Sequence, residues 1–159
     1  DRSVSRGLGD LYKRQELSDI TEVMLFFDMD GVISSYDAGK KLDFATKRPL
    51  TENINKIKKI STLNNVTLYI LSICKKNFQI EEKNNWLDKN APFFDNSNRI
   101  IISKEQHPNI DSPTLKSDFL KNLNTSSQIV LVDDDNTVIK KVLDVTDNVI
   151  VFQDSELID

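Results

Sequence analysis

One stretch of the chain carries an apolar run directly into two carboxylates: Val23-Met24-Leu25-Phe26-Phe27-Asp28-Met29-Asp30-Gly31-Val32. Its first five residues have the length and unbroken hydrophobicity of a strand that is buried on both faces. Asp28 and Asp30 point to the same side of an extended segment, roughly 6.5 Å apart. A divalent cation such as Mg²⁺ would relieve their repulsion. Gly31 lets the chain turn there and bring backbone N–H groups close to an anion.

Four more apolar runs of strand length follow along the chain, at Val66–Leu71, Ile100–Ile102, Ile129–Val132 and Val149–Phe152. Helical stretches fit between them: one capped by Thr51, one over Gln79–Lys89, one opened by Ser112 and Pro113, and one over Thr137–Leu143. Alternation of strand and helix predicts right-handed crossovers and a parallel sheet. The predicted fold is therefore α/β, a Rossmann-like three-layer sandwich with a central parallel sheet of about five strands.

The bulk composition is that of a single globular domain. The chain has 159 residues, of which 38% are hydrophobic and 29% charged, so wholesale disorder is excluded. Residues 1–22 are polar and are interpreted as an N-terminal arm with a short helix near Leu11–Ile20, and residues 23–159 as the domain. Because the first residue is Asp1, we expect a fragment of a longer protein. No cellular address is predicted, and no apolar run has the length of a membrane span.

The scarcity of cysteine and histidine excludes two kinds of site. One cysteine, Cys74, and one histidine, His107, leave no disulfide framework and no zinc site built from Cys and His. Cys74 lacks the arginine that a cysteine phosphatase needs six residues later, since that residue is Ile80; we expect a half-buried small residue. The net charge of -4 disfavours tight, nonspecific binding of nucleic acid.

Polar side chains follow the other strands at the edge where a parallel sheet binds its ligands. Ser72 follows the second strand and can donate a hydrogen bond to a phosphate oxygen, and the N–H of Ile73 is expected to join it. The fourth strand runs into Asp133-Asp134-Asp135-Asn136, where mutual repulsion calls for a cation or a lysine. Lys116, near the start of the helix opened by Ser112, is the candidate cation, with Lys75, Lys76 and Lys104 as rivals.

In order and spacing, these four motifs resemble those of the haloacid-dehalogenase-like (HAD) hydrolase superfamily. The resemblance implies that Asp28 is a nucleophile forming an aspartyl-phosphate, and that Asp30 is the general acid and base. It implies that Asp28, Asp133 and the main-chain carbonyl of Asp30 bind Mg²⁺. Phosphate would be held by Gly31, Ser72, Ile73 and Lys116, while Asp134 would orient Lys116 or a water on the metal. The run Asp133-Asp134-Asp135-Asn136 is similar to that of magnesium-dependent protein phosphatases.

An alternative interpretation of the last acidic run, the start of a response-regulator receiver, is excluded because only 24 residues follow Asp135. Two structural expectations bear on the substrate. About 20 residues separate Gly31 from Thr51, which is room for a flap and not for a cap domain. An uncapped site admits a phosphate carried on a macromolecule. The resemblance therefore implies a phosphoprotein substrate that carries phosphotyrosine or phosphoserine. The loop 33–50, with Tyr36, Phe44, Lys47 and Arg48, is the candidate substrate contact.

Two other functions stay open from the sequence. The first is a phosphatase of nucleotides or of nucleic-acid ends, which the acidic balance disfavours in the nucleic-acid case. The second is a non-enzyme, a HAD-like domain that keeps the site and binds a partner. The filled motif positions argue against this second reading. No oligomeric state is predicted.

Overall fold

A computed structural model describes residues 22–36 and 43–157. Five strands alternate with four helices along the chain. The strands are β1 (Val23–Phe27), β2 (Val66–Cys74), β3 (Arg99–Ser103), β4 (Gln128–Asp133) and β5 (Val149–Gln153). The helices are α1 (Thr51–Ile60), α2 (Phe78–Asn90), α3 (Ser112–Lys121) and α4 (Asn136–Val145). The predicted N-terminal arm, with its short helix near Leu11–Ile20, lies outside the described residues except for Glu22.

The strands form one parallel sheet in the order β3-β2-β1-β4-β5, which confirms the predicted fold class. β1 is the central strand: Val23 pairs with Val66 of β2 on one side and with Gln128 of β4 on the other. The chain winds outward from β1 to β3 and then crosses back to β4. The point of reversal therefore lies between β1 and β4, and crevices at such points receive the ligands of open α/β sheets.

Two apolar cores lie on opposite faces of the sheet, as the pleat of β1 requires. Leu25 and Phe27 pack in the core beneath α1 and α2, whereas Phe26 packs in the core beneath α3 and α4. All three of these side chains are fully buried. Helices on both faces explain why the strands read as continuous apolar runs instead of alternating patterns.

The element ends differ from the predicted ones at two informative places. β2 continues to Cys74 and does not end at Leu71, because Ser72 through Cys74 still pair with Ile101 through Ser103 of β3. Thr51 is the first residue of α1 and not its cap; the N-cap is Leu50, which makes no capping hydrogen bond. Cys74 is buried, not half-buried.

Between β1 and α1 the described residues hold short turns and a 3-10 helix, Phe44–Thr46, with no large cap. The carboxyl ends of the central strands are thus left open to solvent. None of the described helices has the length and hydrophobicity needed to cross a membrane.

Candidate active site

An open cleft of about 480 Å³ lies at the carboxyl ends of β1 and β4, at the reversal point of the sheet. Five of its lining residues are aspartates. The lining consists of Asp28, Asp30, Tyr36, Ile73, Ser112, Lys116, Asp133, Asp134, Asp135 and Val138. The fold therefore brings the first and last predicted motifs to one cavity.

A tight turn after β1 sets the direction of Asp28 and Asp30. The carbonyl of Met29 accepts hydrogen bonds from the N–H groups of Val32, Ile33 and Ser34, at 2.9–3.1 Å. Gly31 lies in this turn with φ 83°, a conformation that residues with a Cβ adopt only under strain. Its N–H donates to the Ser34 carbonyl at 2.8 Å, so this donor, predicted to face phosphate, already has an acceptor within the turn.

Lys116 joins the first and last motifs by its ammonium group. It is 3% exposed, and its Nζ lies 2.9 Å from Asp28 Oδ1 and 2.7 Å from Asp133 Oδ2. Burial alone would lower the pKa of Lys116, but the two carboxylates outweigh burial and hold its pKa above the ordinary value. Lys116 is therefore a permanent cation at the floor of the cleft.

Three carboxylates crowd around that cation. Asp28, Asp133 and Asp134 each offer an oxygen, and these oxygens all lie within 4.8 Å of one another. Burial, reinforced by the neighbouring carboxylates Asp28 and Asp133, raises the pKa of Asp134 to about 7. The pKa of Asp133 is also raised, by burial and by Asp28, against the opposing effect of Lys116. Such shifts mark a cluster that is short of positive charge.

The donor set of this cluster fits a hard divalent cation. When ionised, the three carboxylates set against one ammonium group leave a formal charge of −2. Carboxylate oxygens are the protein ligands that Mg²⁺ prefers, and Mg²⁺ is held by one or two of them together with waters and phosphate oxygens. Asp28, Asp133 and Asp134 are thus the described side chains that can hold a metal.

Asp30 belongs to a separate electrostatic group. Its Oδ1 is ion-paired with Lys47, and its Oδ2 lies 3.3 Å from Nζ of Lys83. Burial opposes ionisation of Asp30, but the ammonium groups of Lys83 and Lys47 prevail and hold its pKa below the ordinary value. The carboxylate of Asp30 is thus held by two lysines and stands apart from the cluster of Asp28, Asp133 and Asp134.

Ser72 lies inside β2 and is 1% exposed. Its Oγ accepts a hydrogen bond of 2.6 Å from Nζ of Lys83, which also donates to the Ile73 carbonyl at 3.1 Å. Ile73 lines the cleft, and its contact with phosphate stays a prediction. Ser72, predicted to donate to phosphate, is not among the residues that line the cleft.

Lys83 was not predicted as a site residue. Lys47 was predicted as a substrate contact in the loop 33–50, but its ion pair with Asp30 was not predicted. Lys83 left a clearer signal: it lies on the same face of α2 as Gln79, Trp86 and Leu87, all buried. A lysine on the apolar face of a helix needs an acidic or carbonyl partner. The rivals Lys75 and Lys76 are exposed and do not line the cleft.

Comparisons with known proteins give a likeness of fold. A chain from the structure of a Pnkp1/Rnl/Hen1 complex superposes with a TM-score of 0.64 at 17% identity. The likeness covers 82% of this chain and 45% of that chain, so this chain spans less than half of the neighbour's length. No protein-family model matches the chain, and no curated protein matches its sequence.

Proposed function

We propose that this chain is a magnesium-dependent phosphomonoester hydrolase of the HAD type, with Asp28 as its nucleophile. The observation that carries the proposal is the position of Lys116, which bridges Asp28 at 2.9 Å and Asp133 at 2.7 Å on the floor of an open cleft. A carboxylate becomes a competent nucleophile toward phosphorus when adjacent positive charge offsets its own. The acidic cluster with a formal charge of −2 supports a bound Mg²⁺.

The reaction proceeds in two displacements. In the first, a carboxylate oxygen of Asp28 bonds to phosphorus, the bond from phosphorus to the ester oxygen breaks, and Asp30 gives that leaving oxygen its proton. In the second, Asp30 takes a proton from water, the water oxygen bonds to phosphorus, and Asp28 leaves as a free carboxylate with release of inorganic phosphate. The ion pairs of Asp30 with Lys47 and Lys83 favour its ionised form, which suits the second displacement.

The remaining residues supply binding and charge. Lys116 and Ser72 bind the phosphate oxygens, with the N–H of Ile73. Asp28 and Asp133 would hold the metal, and Asp134 would orient Lys116 or a water beside it. Bound Mg²⁺ would supply positive charge between the carboxylates and the transferred phosphoryl group. Lys116 keeps Asp28 in position, because its ammonium group is buried and bound on two sides.

The proposal is tested by hydrolysis of p-nitrophenyl phosphate with Mg²⁺ and with a chelator. Wild type should turn over only with the metal, and Asp28→Asn should reduce kcat by at least about 10³-fold, since the nucleophile is lost. Asp135→Asn is the matched control: it removes a carboxylate of the same acidic run but retains a capping side chain for α4. Equal rates for wild type and Asp28→Asn would refute the enzyme and favour the partner-binding domain.

Two classes of macromolecular substrate suit an uncapped cleft. The first is a phosphoprotein, including one that carries phosphotyrosine. The likeness of the run Asp133-Asp134-Asp135-Asn136 to that of magnesium-dependent protein phosphatases suggests it. The second is a nucleic-acid end. The fold neighbour comes from a Pnkp1/Rnl/Hen1 complex, which supports this second class as a candidate. Tyr36 adds support, because its side chain lines the cleft yet is 70% exposed, available to stack on a base.

A substrate panel separates the two classes. Rates are compared for oligonucleotides with a 3′- or a 5′-terminal phosphate, for phosphotyrosine and phosphoserine peptides, and for mononucleotides. A nucleic-acid-end phosphatase should prefer an oligonucleotide, and Tyr36→Ala should weaken that preference by roughly 5- to 100-fold through KM. Preference for a phosphopeptide, unaltered in Tyr36→Ala, would support the protein phosphatase instead.

A further inference from the structure

A third lysine, Lys83, is buried beside the proposed site without lining the cleft. It is 2% exposed and is held on α2, whose inner face also carries Trp86 and Leu87. Burial of an ammonium group is costly unless each of its protons finds an acceptor. Lys83 has three acceptors: Ser72 Oγ at 2.6 Å, the Ile73 carbonyl at 3.1 Å and Asp30 Oδ2 at 3.3 Å.

The chemistry of these contacts fixes the direction of one hydrogen bond. An ammonium group only donates, so Ser72 Oγ must accept the 2.6 Å bond from Lys83. The proton of the Ser72 hydroxyl then points to another acceptor. Among the described residues, no hydrogen bond is donated by that hydroxyl. Ser72 is itself 1% exposed and is not among the residues that line the cleft, but the next residue, Ile73, lines it. A phosphate oxygen bound beside Ile73 is an acceptor of the required kind.

The other two contacts of Lys83 reach residues that line the cleft, Ile73 and Asp30. The buried ammonium group of Lys83 thus contacts three residues predicted to surround the phosphate and the leaving oxygen, namely Ser72, Ile73 and Asp30. The aromatic ring of Phe44 packs against this cation, with its centroid 4.9 Å from Lys83 Nζ. An apolar side chain of similar length can occupy the same space.

We propose that Lys83 is a positioning residue of the phosphate site: it fixes the Ser72 hydroxyl as a donor toward phosphate and holds Asp30 at the cleft. This inference rests on the proposed function for the effect of Lys83 on turnover. The effect of Lys83 on phosphate binding is measured without turnover. Lys83 acts through Ser72 and Asp30 and does not itself touch the substrate.

The test compares Lys83→Met with Lys89→Met, a control on the exposed side of the same helix. Each variant is assayed for p-nitrophenyl phosphate hydrolysis with Mg²⁺ and for the rise in melting temperature caused by inorganic phosphate. Lys83→Met should stay folded, lose most of the phosphate-dependent rise and lose kcat/KM on the order of 10- to 100-fold. Lys83→Gln, which keeps one N–H donor, should fall between Lys83→Met and wild type, and it replaces Lys83→Met if that variant does not fold.

A double variant distinguishes positioning from a merely structural role. If Lys83 acts partly through Ser72, Lys83→Met and Ser72→Ala together should cost clearly less than the product of their separate effects on phosphate binding. Multiplicative losses, or a Lys83→Met variant that binds phosphate as Lys89→Met does, would overturn the inference. Lys83-dependent phosphate binding without turnover would refute the hydrolase and leave the inference standing. Wild type that neither turns over nor binds phosphate would refute both.

Discussion

Gly31 lies against the side chain of Asp134, which lines the cleft. A Cβ placed on Gly31 would lie 1.9 Å from Asp134 Oδ2, and the backbone there has φ 83°. We expect Gly31→Ala to cost about 1–3 kcal/mol from the backbone conformation, with a further cost from displacing Asp134. Urea denaturation measures the free energy of unfolding, which contains both costs. In an Asp134→Ala background the second cost should vanish, so an equal loss in the two backgrounds would contradict the contact.

Asp134 also makes stability depend on pH in the metal-free protein. Its folded pKa of about 7 exceeds its ordinary value of 3.8, so between these values the folded state binds more protons than the unfolded state. Stability therefore falls as pH rises through that window. Asp134→Asn removes this effect and should stabilise the chelated protein by about 1–2 kcal/mol at about pH 8, after allowance for solvent screening, and little at about pH 4.

Melting temperatures in a chelator across that pH range check the sign. If Asp134→Asn is stabilised equally at about pH 4 and at about pH 8, the neighbouring carboxylates and burial do not raise the pKa of Asp134. Asp135→Asn serves as control, because the pKa of Asp135 is lowered by its hydrogen bonds to Thr137 and its side chain is exposed.

The candidate site residues at strand ends could be predicted from the sequence, because an apolar run that stops at a carboxylate is a strong local signal. Asp28 and Asp133 follow directly from it, and the structure brings both to Lys116. Lys83 was missed since its partners are 10 to 53 residues away in sequence and only the fold brings them together. The roles of all these residues remain predictions that the experiments above address.

At the scale of elements, α2 anchors the loop that follows β1. The indole N–H of Trp86 donates to the Lys47 carbonyl at 2.9 Å, and its ring meets Phe44 edge-on at 5.8 Å. We expect Trp86→Phe to keep most of the packing and lose the hydrogen bond, at a cost of about 1–2 kcal/mol. Lys47 is ion-paired with Asp30. Loosening the loop should therefore also change the rate of the first displacement, in which Asp30 protonates the leaving oxygen.

Hydrogen exchange locates that change. Amides of residues 43–50 should exchange faster in Trp86→Phe, while those of β1 and β2 keep their protection. Phe78→Leu is the control, as Phe78 lies on the same helix and is 58% exposed. Uniformly faster exchange throughout the sheet would indicate global destabilisation and not a local anchor.

The elements themselves were predicted well, because buried parallel strands and amphipathic helices differ plainly in length and pattern. The end of β2 was not. Ser72 looks like a strand terminator, but backbone pairing with β3 continues past it and Lys83 satisfies its hydroxyl oxygen. A polar residue within a buried strand can be placed correctly only when its partner is known.

At the scale of the whole molecule, a metal in the acidic cluster should stabilise the entire domain. A ligand that binds only the folded state adds about 2.7 kcal/mol at 100 times its Kd. We expect Mg²⁺ to raise the melting temperature of wild type, with a much smaller rise in Asp133→Asn. Asp135→Asn should behave as wild type. Scanning calorimetry with and without Mg²⁺ measures this, and an equal rise in all three proteins would exclude the cluster as the binding site.

The pairing of β1 with β4 has a consequence for how the protein is made. Val23 and Gln128 are adjacent in the sheet but more than 100 residues apart in the chain, so the ribosome completes β1 long before its second neighbour exists. Until residues 116–133 have emerged, Asp28 has neither its lysine nor its acidic neighbours. Contacts this distant in sequence close slowly. The nascent chain therefore carries β1, one of its most hydrophobic strands, with one edge unpaired until β4 has been synthesised. We expect a chaperone to protect this edge during that interval.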